Sequence, residues 1–118
     1  MDAHKMIKLL TRAQDIYGYA NQVTVATEEL CELAQVLCKY PRYPDHQTAS
    51  GAIRPKVVEE IADVIICLQH LYLIFNIESD ELDRVMDAKL ERLQRWLDAS
   101  DDFYQSTIDR EVKQLGDN

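Results

Sequence analysis

The stretch VVEEIADVIICLQHLYLIF, residues 57–75, constrains this chain more than any other part of it. From Ile61 to Phe75 its apolar side chains fall on every side of a helix, and such a helix must be covered all round. Residues 61–77 approach membrane-spanning length, but Asp63, Gln69 and His70 interrupt them, so a buried helix of a soluble protein fits better than a span. The same segment begins with Glu59, Glu60 and Asp63, and a buried carboxylate is costly unless a cation compensates it.

Helical periodicity governs the rest. Met6, Leu9, Leu10, Ala13 and Ile16 recur at spacings of three and four, which predicts a helix over residues 3–17 ended by Gly18. A second helix is expected from Asn21 to Lys39. Pro41, Pro44 and the SGAIRP stretch predict a loop over 40–55, with Pro55 in the first turn of a third helix over 56–76. Ser79 predicts the cap of a fourth helix reaching Leu97, and a weaker pattern over 101–115 suggests a fifth. The expected fold is all-α: a four- to five-helix bundle in one domain spanning 1–118. Its core covers about residues 3–97, and 98–118 form a C-terminal extension. A single bundle of this size leaves one face of each helix wet, so the all-round apolar third helix predicts packing between subunits, as a homodimer or homotetramer.

With 118 residues the chain suits one domain, and only three glycines and three prolines argue against a turn-rich sheet protein. A net charge of −8 disfavours a nucleic-acid polymer as partner, yet permits an anionic ligand if a metal ion intervenes. Cys31 and Cys38 are about 10 Å apart along a helix, too far to pair as helical neighbours. Reduced thiols, no signal-peptide pattern and no membrane span predict a cytoplasmic protein.

Two pairs of carboxylates carry the chemistry. Lys56, Glu60, Asp63, Cys67 and His70 fall within a sector of roughly 80° on the third helix. On the second, Val25, Glu29, Glu32 and Val36 form a stripe at spacings of four, three and four. If the two helices pack antiparallel, Glu29, Glu32, Glu60 and Asp63 converge. Four such charges repel and raise one another's pKa unless a divalent cation joins them, and an all-oxygen ligand set suits Mg²⁺ or Mn²⁺. Acidic residues near a helix start are stabilising in their own right, which accounts for the third-helix pair taken alone. The Glu29–Glu32 pair sits in mid-helix and has no such explanation.

EELCEL at 28–33 and EEIADV at 59–64 resemble the paired motifs of the all-α nucleoside triphosphate pyrophosphohydrolases, the MazG-like superfamily. The resemblance covers about residues 5–97. It implies Mg²⁺-dependent hydrolysis of a nucleoside triphosphate to the monophosphate and pyrophosphate, with Glu29, Glu32, Glu60 and Asp63 as metal ligands. KLERLQRW at 89–96 is similar to a further family segment, which implies substrate contacts from Lys89 and Arg95, although Leu93 stands where that segment usually has Asn.

Of the remaining candidates, Glu32, with Glu29 beside it, is the expected catalytic base, and Lys56 a phosphate contact or an ion-pair partner of Glu60. Glu28 and Glu59 point away from the ligand stripes and are expected in salt bridges. Asn21 and Gln22 offer hydrogen bonds to a base, and Tyr17, Tyr19, Tyr40 or Tyr43 a stacking surface. His70 lies about 10 Å beyond Asp63 and reads as a buried, hydrogen-bonded histidine. No Glu-x-x-His motif occurs, which argues against a di-iron carboxylate bundle. The competing reading is a non-catalytic helical oligomerisation or interaction module.

Overall fold

The computed structural model describes residues 1–40 and 46–116, and side-chain surroundings for all of these except 46–50 and 52. The described residues are all-helical, in four helices without a strand. Helix α1 spans Ala3–Tyr17, α2 Tyr19–Lys39, α3 His46–Ile74 and α4 Ser79–Gly116. The chain forms two units, Met1–Ile77 with α1 to α3, and Glu78–Asn118 with α4.

Asp2 caps α1, its carboxylate accepting from the Lys5 N–H at 2.8 Å. Gly18 then ends one helix and begins the next within a single residue. Its φ of +84° and ψ of 159° lie in a region open essentially to glycine alone. The Gly18 N–H donates to the Gln14 carbonyl at 2.8 Å, and its own carbonyl accepts from the Gln22 N–H at 3.2 Å. One backbone unit thereby satisfies an end of each helix.

Two expected boundaries move. Residues 46–54 are helical rather than loop, so Pro55 lies inside α3 and not in its first turn. Residues 41–45, with Pro41, Tyr43 and Pro44, fall outside the described residues. At its C-terminus α3 closes in a Schellman arrangement. Asn76 takes the left-handed conformation (φ 52°), Ile77 N–H donates to the Tyr72 carbonyl at 2.9 Å, and Asn76 N–H to that of Leu73 at 3.3 Å.

The second change is larger. The expected fourth and fifth helices are one helix of 38 residues, α4, running through Asp98–Asp102 without a break. Glu78, rather than Ser79, supplies the first carbonyl, accepting from Leu82 N–H at 3.2 Å, and Asp80 and Glu81 complement the positive helix end.

In the first unit α2 and α3 make the main pairing and α1 packs on both. Leu37 and Tyr40, near the end of α2, share a groove with Ile53, Arg54 and Val57 early in α3. Glu29, further back in α2, meets Glu60 and Asp63 further along α3. The pair is therefore antiparallel. Ala26 and Val36 of α2 and Val64 of α3 are the buried apolar residues among those described. Val58, Ile61 and Ile65, along one side of α3, are exposed.

Candidate metal centre

Glu60 is the most buried residue described, at 2% exposure. A carboxylate in that position needs partners, and Lys56, one turn earlier, supplies one of them. Its Nζ lies 2.9 Å from Glu60 Oε1, the i, i+4 pair expected from the sequence. The other oxygen, Oε2, is buried with no hydrogen-bond partner. Lys56 also reaches Glu59 Oε2 at 3.6 Å, so Glu59 takes the outward ion-pair role expected of it.

The antiparallel pairing carries Glu29 to the same place. Glu29, Glu60 and Asp63 each offer a carboxylate oxygen, and the three atoms lie within 4.8 Å of one another. Glu29 Oε2 is likewise buried and unpartnered. Burial holds the Glu29 carboxyl above the ordinary carboxylate range, and the charges of Glu32, Asp63 and Glu60 push it further up. Lys56 is raised in turn, first by its hydrogen bond to Glu60.

Three of the four expected ligands thus meet. Glu32 lies outside the trio and is exposed, yet its charge is close enough to raise the Glu29 carboxyl. Cys67, next on the α3 stripe, is raised by burial and by the charges of Glu29 and Asp63. His70 is buried, and burial lowers its pKa. Its Nε2 has no partner, so the expected hydrogen-bonded histidine is unpaired at that atom.

The donor set fits a hard divalent cation. All three donors are carboxylate oxygens, and two of the carboxylates keep a buried oxygen that no protein group satisfies. Nitrogen and sulfur, which would favour zinc, are absent from the trio.

A groove of about 490 Å³ opens between α1 and α2, lined by Tyr17, Asn21, Gln22, Thr24, Val25 and Glu28, with Ala13 at its α1 side. Val25 stands one turn before Glu29 on the same helix, about 6 Å by helical rise. Asn21 commits its Nδ2–H to the Tyr17 carbonyl at 2.7 Å, bracing the Gly18 elbow. Gln22 is half-buried, whereas Tyr17 and Tyr19 are exposed. Tyr40 lines the separate groove at the far end of α2. Thr24 was not singled out by sequence, and Val25 only as a member of the Glu29–Glu32 stripe, since only the elbow shows which side of α2 faces α1.

Lys89 and Arg95 belong to α4, in the second unit. Lys89 lines a shallow groove there with Arg92, Leu93 and Trp96, and a neighbouring one with Arg84, Arg92 and Arg95. Arg92, three residues after Lys89, extends the basic stretch.

No protein-family model, curated protein or solved structure matches this chain. Among the described residues, no helix is long and apolar enough to cross a membrane.

Proposed function

We propose that the protein is a divalent-cation-dependent nucleoside triphosphate pyrophosphohydrolase, resembling the MazG-like enzymes and acting in the cytoplasm as a homodimer or homotetramer. The observation that carries this reading is the convergence of Glu29, Glu60 and Asp63, two of which keep a buried carboxylate oxygen without a partner. A structural role for the acidic residues accounts for an exposed helix start, but not for a buried Glu60 with two half-buried carboxylates drawn against it.

Bound there, Mg²⁺ or Mn²⁺ supplies the positive charge and Lewis acidity that phosphoryl transfer to water requires. Glu32, exposed and one turn from Glu29 on α2, is the group we assign to take the proton from the attacking water. The water oxygen bonds to one of the two phosphorus atoms of the α–β anhydride as that atom's bond to the bridging oxygen breaks, and the monophosphate and pyrophosphate separate. Lys56, half-exposed at the edge of the cluster, offers its remaining N–H donors to a phosphate oxygen. The α1–α2 groove, one turn from Glu29, is of a size to receive the base, with Gln22 and Asn21 as hydrogen-bonding groups and Tyr17 as an aromatic face. Lys89 and Arg95 are kept as candidate phosphate contacts on the motif resemblance alone.

The rival reading, a helical assembly module without activity, draws on the exposed Val58, Ile61 and Ile65 side of α3. The two separate in one assay. Pyrophosphate release from ribo- and deoxynucleoside triphosphates is followed in Mg²⁺, in Mn²⁺ and in EDTA. The enzyme reading expects metal-dependent release that Asp63→Ala abolishes. A folded protein that releases none from any triphosphate, and is indifferent to EDTA, leaves only the module.

A further inference from the structure

Lys56 reaches two carboxylates at once, and they differ in kind. Its Nζ lies 2.9 Å from Oε1 of Glu60, whose side chain is almost wholly buried. The same Nζ lies 3.6 Å from Oε2 of Glu59, whose side chain is 65% exposed. Spacings of i, i+3 and i, i+4 set the lysine between the two on α3, about 60° round the helix from Glu59 and about 40° from Glu60. Glu59 is the member of the EEIAD stretch for which the metal centre has no use.

In the metal-free protein the nearer contact governs. An ion pair at 2.9 Å satisfies one oxygen of a buried carboxylate that already crowds against Glu29 and Asp63. An exposed pair at 3.6 Å contributes little, and it forms and breaks readily. The lysine is therefore held mainly by Glu60.

Sharing Glu60 with a divalent cation reverses that preference. Glu60 Oε2 is the oxygen of this carboxylate that no protein group holds, and Oε1 is the one that Lys56 holds. Charges of +1 and +2 about 5 Å apart repel enough, even in water, to weaken joint binding about tenfold. The lysine can relieve this by a short movement. Its flexible four-carbon stem can swing Nζ from Glu60 onto Glu59 while α3 stays as it is.

We propose that Lys56 is a two-position counter-ion, which neutralises Glu60 in the metal-free protein and moves to Glu59 when a divalent cation binds, so that Lys56 and Glu59 together set the affinity of the centre for metal. The inference rests on the metal-centre reading. Toward the metal both are positioning residues, and neither is a ligand.

The test is calorimetric titration of the full chain with Mg²⁺ and with Mn²⁺, in the absence of nucleotide. Wild type is compared with Lys56→Met, Glu59→Gln and the double variant, and far-UV circular dichroism checks that each is folded. Lys56→Gln, which keeps a hydrogen-bond donor for Glu60 without the charge, replaces Lys56→Met if the latter does not fold. Removing the lysine is expected to tighten metal binding about tenfold, whereas a residue that only supported the fold would weaken it. Glu59→Gln is expected to weaken binding about threefold, because the lysine loses its second position and stays on Glu60. In the lysine-free background Glu59→Gln is expected to change nothing, since no ammonium is left to move. A lysine variant that binds the cation no more tightly than wild type overturns the proposal and leaves the metal centre standing. So does a Glu59→Gln loss of equal size in both backgrounds, which is a direct effect of the Glu59 charge. A wild-type chain that binds neither cation overturns the metal reading and this inference together.

Discussion

Lys56 and Glu60 form an ion pair at 2.9 Å whose two members live in different solvents: the lysine side chain is more than half exposed and the glutamate is almost wholly buried. The pair neutralises one Glu60 oxygen and leaves the other, Oε2, buried without a partner in a residue that clusters with Glu29 and Asp63.

Removing the lysine therefore strands a buried carboxylate. Lys56→Met is expected to destabilise the protein in EDTA by about 1–3 kcal/mol, the usual cost of an unsatisfied buried polar group. Saturating Mg²⁺ is expected to recover part of that loss, because the cation serves the same carboxylate. Urea melts of both proteins in both buffers give the four values needed. An equal loss in EDTA and in Mg²⁺ would separate Lys56 from the cluster.

Divalent cations should raise the melting temperature of the wild-type chain. At a hundred times the dissociation constant, the stabilisation is about 2.7 kcal/mol. Glu29→Ala and Asp63→Ala are expected to remove that response. In EDTA the same substitutions relieve repulsion, so each should cost little or stabilise. Thermal melts that fall sharply in EDTA for both variants would instead mean that the carboxylates support the fold directly.

The cluster also dictates a pH dependence in the absence of metal. The Glu29 carboxyl is raised in the folded protein, so the native state holds its proton more tightly than the unfolded chain does. Its contribution to stability is fully present below the unfolded value near 4.5 and is lost as pH rises through the raised folded value. His70 acts with the opposite sign: burial lowers its pKa, and the stability it contributes is lost as pH falls from about 6.5 toward the lowered value. The difference between wild type and Glu29→Gln isolates the first effect. In EDTA that difference should shift in favour of Glu29→Gln between pH 4.5 and 7, and with Mg²⁺ it should reverse. A difference flat with pH in EDTA contradicts the crowded cluster.

Gly18→Ala tests the elbow. No atom lies within 4 Å of where the new Cβ would sit, so the cost is one of backbone conformation alone, about 1–3 kcal/mol. Denaturant melts should show that loss with an unchanged m-value. A neutral substitution would mean that the elbow readily adopts another conformation.

The sequence discloses those features whose cause is local. Helix α1, with its start beside Asp2 and its stop at Gly18, follows from periodicity and the special backbone of glycine. The Lys56–Glu60 pair follows from i, i+4 spacing, and the meeting of Glu29 with Glu60 and Asp63 from two stripes on helices that fold back on each other. Two features required more than local rules. Residues 46–54 lack apolar periodicity and precede a proline, so they read as loop. Pro55 removes only one N–H from the ladder, and a 29-residue helix accommodates that. Helix α4 read as two because Asp98, Ser100, Asp101 and Asp102 interrupt a three-and-four pattern, whereas a helix already under way on both sides propagates through a short polar stretch free of glycine and proline. The placement of Glu32 was hidden for a different reason. Spacing puts it on the ligand stripe, but an exposed side chain at the edge is drawn to water as much as to the cluster.

The Gly18 elbow leaves no slack between α1 and α2. A single inserted residue there would turn α1 by about 100° about its own axis and shift it along that axis, carrying Ala13 and Tyr17 off the groove. The width of that groove is therefore tied to a chain length as well as to its side chains. Substitutions can reshape its lining one group at a time, while insertions and deletions at residue 18 can only rebuild it as a whole.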